Sequence, residues 1–324
     1  MYNIQHYQQG FLEYLKQYTI DREPKNLYEP ANYILNLGGK RLRPVLALMA
    51  CDCFGANYKK ALDVALAIEV FHNFTLVHDD IMDAAPLRRG KTTVHKKWDE
   101  NTGILSGDAM LIMAYQCLES YEPTIFSALT RLFSKTALEV CEGQQYDIDF
   151  ETRQDVSIIE YLKMIEYKTA VLVGATMQMG ALVAGASNDS QKAIYDFGRF
   201  LGIAFQLQDD YLDTFGNPET FGKQVGGDII ENKKTYLYLI AQQNLSATDA
   251  DRLNVLFKTQ PEDPSQKIEL VKALFENSGA KSEILKAVEN YTKQAFEVLK
   301  RLNISEENKA VLKRFGQELM GRSV

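Results

Sequence analysis

The stretch Lys60–Asp83, KALDVALAIEVFHNFTLVHDDIMD, decides the fold. Its apolar residues recur at Leu62, Ala65, Leu66, Ile68, Val70, Phe71, Phe74, Leu76 and Val77, so they surround a helix on nearly every side. A helix of that kind is central and walled by others. Outward from it, no proline occurs between Pro123 and Pro218, nor after Pro264, and those intervals carry 3.6-residue apolar periods. Alternating Val/Ile runs and hairpin dipeptides are missing, so strand signals are weak. The spacing predicts helices over about 3–18, 27–54 (broken at the glycines), 58–83, 100–120, 124–145, 157–186 and 189–213, with shorter ones to the end. No Ser/Gly/Pro-rich linker divides the chain and no repeat is visible, which predicts one all-α domain over residues 1–324.

Composition narrows the function. The 324 residues are 46% hydrophobic and 24% charged, which excludes disorder and collagen-like repeats. With 36 basic against 43 acidic side chains the net charge is −7, a poor match to nucleic acid. Cys51, Cys53, Cys117 and Cys141 lack zinc-ligand spacing and read as buried free thiols in a reducing compartment. The N-terminal stretch has neither a basic n-region nor an apolar h-region, which predicts no signal peptide. The apolar run Val171–Ala186 is shorter than the ~20 residues of a membrane span and carries Thr176 and Gln178, so it reads as a helix buried in protein. The expectation is a cytoplasmic enzyme with no integral membrane segment.

Two acidic clusters are costly unless a cation binds them. Asp79, Asp80 and Asp83 form DDIMD at the end of one helix, and Asp209, Asp210 and Asp213 form DDYLD at the end of another. Carboxylates at i and i+4 share a helix face, and negative charge opposes the macrodipole at a helix C-terminus, by ~0.3–1 kcal/mol per contact. One such cluster could be a solvated helix end. Two, each preceded by apolar residues, suggest carboxylate claws aimed into a shared cavity. Hard oxygen ligands without His or Cys select Mg²⁺, which one or two carboxylates hold together with substrate phosphates. The basic residues corroborate a polyphosphate ligand: GGKRLRP places Lys40, Arg41 and Arg43 where a helix restarts, and Arg88 and Arg89 follow the first claw. Lys168 with Thr169, Lys223, and Lys233 with Lys234 come later.

In this order, GGKRLRP, DDIMDAAPLRRGKTTVH, GQQYD, YKT, FQLQDDYLD, GKQVGGD and NKKT resemble the motifs of the trans-isoprenyl diphosphate synthases, the polyprenyl synthetase family, in its short-chain type. The resemblance covers roughly two thirds of the chain. It implies an all-α helical bundle of the isoprenoid synthase type around a central apolar cavity, and a homodimer. It implies that Asp79, Asp80, Asp83, Asp209 and Asp213 hold three Mg²⁺ ions around an allylic diphosphate, which Arg88, Lys168, Lys223 and Lys233 also touch, with Gln144 near the metal shell. Lys40, Arg43, His72 and Arg89 would bind isopentenyl diphosphate, and Thr169 and Gln206 would stand beside the developing carbocation. The implied reaction is electrophilic alkylation, in which cations stabilise departing pyrophosphate and apolar walls exclude water.

Three further points follow. Glu69-x-x-His72 is half of a di-iron signature, but no second ExxH exists, so the diphosphate role of His72 is preferred. Counting back from Asp79, Thr75 and Phe71 lie one and two turns up the same face with Phe74 beside them, where an aromatic ring could floor the pocket. By family analogy this suggests farnesyl or geranylgeranyl diphosphate as product, and the compact first claw leans to the latter. A terpene cyclase also ionises an allylic diphosphate, but it needs no second diphosphate pocket, and a non-catalytic partner subunit would be expected to have lost a claw.

Overall fold

In the computed structural model, which describes residues 1–217 and 225–321, the apolar periods form helices almost throughout. Backbone contacts group the chain into two units: Met1–Ser134 with Ala175–Tyr195, and Lys135–Gly174 with Asp196–Val324.

The first unit holds α1 (Ile4–Gln17), α2 (Lys25–Asn36), α3 (Leu42–Cys53), α4 (Leu62–Met82, after a 3-10 turn at Tyr58–Ala61), α5 (Val94–Lys97) and α6 (Glu100–Gln116). Side-chain oxygens start two of these helices: Asn3 accepts from His6 N and Asp99 from Thr102 N, each at 2.9 Å. Losing such a cap costs ~1 kcal/mol. As its sequence predicts, α4 is central, packing against α3 and α6. Tyr7, Phe11, Ile34 and Leu48 around it, and Ile68 and Phe71 on it, are fully buried, each contributing ~1.5–3 kcal/mol by leaving water. With its preceding turn, Tyr58–Met82 is, among the described residues, the one helix long and apolar enough to cross a bilayer, and 67% of its apolar window is buried inside protein.

A short hairpin, unannounced by the sequence, follows α4. Strands β1 (Leu87–Arg88) and β2 (Lys91–Thr92) pair antiparallel across Arg89 and Gly90, whose φ angles are 52° and 73°. Two positive φ values are what a tight two-residue hairpin turn requires. Arg-Gly lacks the usual Asn-Gly signal, so the turn was not legible.

Helices α7 (Pro123–Thr152), α9 (Val171–Val183) and α10 (Asn188–Phe215) contribute residues to both units. The second unit adds α8 (Ile158–Ile165), α11 (Gly227–Ile230), α12 (Tyr236–Asn244), α13 (Ala247–Leu256), α14 (Ser265–Asn277), α15 (Ala280–Arg301) and α16 (Glu306–Met320). Its core gathers Phe150, Tyr161, Met164, Leu207, Tyr211 and Phe275.

Two helix expectations are corrected. The helix foreseen over 124–145 continues to Thr152, because Phe150 is buried in the core of the second unit and anchors its last turn. The stretch foreseen as one helix over 157–186 is interrupted by a π-helical turn at Glu166–Ala170, which holds Lys168 and Thr169. Gly143 of α7 lies against the backbone of Tyr167 and Lys168, and Gly202 of α10 lies so near Ala170 that an added Cβ would stand 2.7 Å from its Cα. The cysteine expectation also needs correction. Cys51 and Cys53 are buried, and burial pushes their thiols up to about 11 and about 12, which leaves them unreactive. Cys117 is partly exposed and Cys141 exposed, the latter on a stripe of α7 shared with Leu138 and Gln145.

Candidate active site

Asp79 and Asp80 close α4, and Asp83 is its C-cap. Asp80 is 1% exposed and accepts from Arg88 Nε through both oxygens, at 2.8 and 2.9 Å. Arg88 Nη2 lies 2.6 Å from Asp80 Oδ1 and 3.9 Å from Asp79 Oδ2. Burial pushes the Asp80 carboxyl up while the Arg88 guanidinium opposes it. Thus the hairpin returns a cation to the acidic helix end.

The same hairpin aims a second cation elsewhere. Arg89 donates to the carbonyl of Gly38, and its guanidinium stands where a side chain on Gly39 (φ 116°) would fall, 2.7 Å from that Cβ position. In the GGKRLRP loop, Arg43 Nη1 meets His72 Nε2 at 3.1 Å. Burial and the charges of Arg43, Arg89, Arg88 and Arg41 hold His72 well below its ordinary 6.5, so it is neutral and accepts from Arg43. Arg41, in contrast, is turned inward onto Glu69. Lys40 is exposed and its carbonyl accepts from Gln8 Nε2 at 3.1 Å. Arg43, His72 and Arg89 therefore belong to one loop-and-helix neighbourhood in the first unit, and Lys40 lies on the same loop.

The second unit holds a cavity of about 120 Å³ lined by Asp147, Lys168, Thr169, Gln206, Asp210 and Lys233 among others. Lys168 Nζ lies 2.6 Å from Asp147 Oδ2. The Thr169 hydroxyl donates to Gln206 Oε1 at 3.3 Å, and Gln206 Nε2 donates to Asp210 Oδ1 at 3.2 Å. Asp210 also accepts from the Tyr161 hydroxyl. Burial, then the charge of Asp228, pushes the Asp210 carboxyl well above its ordinary range. Lys233 pairs with Glu231 at 2.9 Å; burial acts downward on it, yet Glu231, Asp147 and Asp228 carry its net shift upward. Lys234 donates to the carbonyls of Phe150 and Glu151, both at 3.1 Å, and of Arg153, and so caps the end of α7. Asp209 is half-buried on α10, and Gln144 lies one residue beyond Gly143 on α7. Asp213 is already engaged, accepting from Asp228 N at 2.9 Å and so holding the start of α11. Lys223 lies outside the described residues.

Residues 24–274 match the family model for polyprenyl synthetase. This chain belongs to the polyprenyl synthetase family. A geranylgeranyl diphosphate synthase of Methanosarcina mazei is 44% identical over 220 residues, 67% of this chain and 68% of that one. The crystal structure of a geranylgeranyl pyrophosphate synthase superposes with TM-score 0.96 at 55% identity, covering 100% of both chains. The geranylgeranyl pyrophosphate synthetase of Pyrococcus horikoshii Ot3 superposes with TM-score 0.91 at 32% identity, covering 99% of this chain and 97% of that one. The all-α expectation holds in this synthetase and in the fold of these neighbours.

The donor set of this polyprenyl synthetase fits magnesium in one particular way. Among the described residues no group of three or more His, Cys, Asp or Glu side chains is arranged as a ready-made cage. The acidic motifs instead offer hard carboxylate oxygens a few at a time, which is how Mg²⁺ is held when substrate phosphates complete its shell. Several contacts around the cavity were not legible in the sequence. Asp210 was seen only as part of its motif, although its i,i+4 spacing from Gln206 signals a shared helix face. Tyr161 gave no local signal, because its partner is 49 residues away; Asp147 and Lys234 were seen only within GQQYD and NKKT, and their partners, 21 and 81–84 residues away, were not legible. On α4, Phe71 is fully buried with its ring 5.2 Å from that of Phe133, while Phe74 packs 4.8 Å from the ring of His78 and the Thr75 hydroxyl donates to His72 O.

Proposed function

We propose that this synthetase condenses isopentenyl diphosphate with an allylic diphosphate (dimethylallyl, geranyl or farnesyl), head to tail and with magnesium, giving farnesyl or geranylgeranyl diphosphate. One observation carries the reading. Beyond the acidic motifs there is a cationic neighbourhood in which Arg43 meets His72 at 3.1 Å and Arg89 reaches the glycine loop, and where burial, then these charges, hold His72 neutral. Only an enzyme with two diphosphates needs that second set of cations, which argues against a cyclase.

In this reading Asp79, Asp80, Asp83, Asp209 and Asp213 serve three Mg²⁺ ions and one allylic diphosphate, with Gln144 near them. Bound magnesium would supply neutralisation of the charge that develops on the departing pyrophosphate. Arg88, Lys168, Lys223 and Lys233 bind that group and stabilise it further. Thr169 and Gln206, linked by a hydrogen bond and preset by the π turn, present oxygen dipoles to the developing carbocation. Lys40, Arg43, His72 and Arg89 hold isopentenyl diphosphate so that its double bond attacks the cationic carbon; the departing pyrophosphate takes the proton then lost. Apolar side chains exclude water that would quench the cation. Phe71, Phe74 and Thr75 set how long the product grows.

The whole chain, residues 1–324, acts as one catalytic domain, as a homodimer in the cytoplasm, without a membrane-embedded segment or nucleic-acid partner. Incubation with isopentenyl diphosphate plus each allylic diphosphate and Mg²⁺, followed by product chromatography, tests the reading. A longer linear prenyl diphosphate is the expected product. Cyclic hydrocarbon, or no conversion of either substrate, would overturn it.

A further inference from the structure

We propose that the buried pair Arg41–Glu69 is a positioning device that presets the isopentenyl diphosphate pocket without touching the substrate. The inference rests on the assignment of Lys40, Arg43 and His72 to that substrate.

Within GGKRLRP, Arg41 is the basic residue turned away from solvent. Its side chain and that of Glu69 are each 2% exposed, and its two terminal nitrogens donate to Glu69 and to the carbonyl of Leu35. The backbone at Arg41 is left-handed (φ 50°), a conformation that a residue with a Cβ holds only when its surroundings impose it. Glu69 is fixed in turn: Asn73 Nδ2 donates to its side chain at 3.0 Å and to its carbonyl at 2.8 Å.

The spacing gives the pair its consequence. Arg41 and Arg43 stand two apart on the loop; Glu69 and His72 stand three apart on α4, on neighbouring turns of one face. The loop is thus pinned to α4 twice, by Arg41 on Glu69 and by Arg43 on His72. Just before it, Gly38 and Gly39 have φ of 83° and 116°, so the segment has little stiffness of its own. A loop that must be ordered at the moment of binding loses affinity to that ordering, whereas a preset one does not. A buried ion pair contributes little net stability but can specify one register, and here the register fixed is that of Lys40 and Arg43.

The double variant Arg41→Met/Glu69→Met tests this, because replacing both partners with apolar side chains leaves no buried charge uncompensated. The expected result is a wild-type melting temperature and a KM for isopentenyl diphosphate raised about tenfold or more, with kcat at saturation within about threefold and the allylic KM unchanged. Glu69→Asp, which keeps the charge but shortens the reach to Arg41, should raise the same KM by a smaller factor and serves if the double variant fails to fold. A folded variant of either kind with wild-type KM for isopentenyl diphosphate overturns the proposal. Arg43→Gln separates the two layers of the argument: if it leaves that KM unchanged, the assignment of the pocket falls; if it raises the KM while the Arg41/Glu69 variants do not, only the positioning role falls.

Discussion

Arg88 grips both oxygens of Asp80, so the middle carboxylate of the first acidic motif is paired with a protein cation. Asp79 and Asp83 are the less buried members, Asp79 at 23% side-chain exposure against 1% for Asp80. Arg88, placed on the allylic diphosphate in the proposed reaction, is thus held against the same acidic helix end that would hold the metal.

Asp79→Ala and Asp209→Ala should each lower turnover by about 10²–10³ or more, the scale of losing preorganised charge stabilisation, with unchanged circular dichroism. Asp79→Asn and Asp80→Asn should each lower turnover and raise the magnesium concentration for half-maximal rate. Steady-state rates across a magnesium titration check both.

His72 should make stability depend on pH. Its folded pKa lies well below the 6.5 of the unfolded chain, so between those values the unfolded state binds more protons. Its contribution is fully present above pH 6.5 and is lost as pH falls below that towards the depressed folded value. His72→Gln does not titrate. The melting temperature of the wild type relative to that variant should therefore decline as pH is lowered from 7.5 to 5, and a constant difference would contradict the burial of a neutral imidazole.

Gly143→Ala and Gly202→Ala should both destabilise the second unit, since an added methyl group would overlap the π turn at Lys168 and Ala170. Overpacking of that kind costs about 1–3 kcal/mol. Because Lys168 and Thr169 sit in the turn, activity should fall further than stability alone explains; thermal melts and rates on the same preparations measure both.

Phe71 and Phe74 should part company when truncated. Phe71 is fully buried against Phe133, so Phe71→Ala should cost about 3–5 kcal/mol. Phe74, 7% exposed, stands nearer the acidic end of α4, and Phe74→Ala should lengthen the product. Product chromatography of the folded variant reads the shift; an unchanged chain length would remove Phe74 from the specificity determinants.

The chain's own order of residues determined the helices and the chemistry of their ends. Apolar periodicity made α4 a central helix, and the i,i+4 spacing of aspartates marked both acidic motifs, because a helix converts sequence spacing into a shared face without help from the rest of the chain. Tertiary structure alone decided the partners: Arg88 for Asp80, Glu69 for Arg41, Asp147 for Lys168, Tyr161 for Asp210. It also decided where the helix over 157–186 would widen into a π turn, against which glycines of α7 and α10 are pressed. Such pairings form between side chains 8 to 49 residues apart. Which basic residue reaches an anion and which is spent on a buried carboxylate is set by packing, and packing leaves no local trace in the residues that take part.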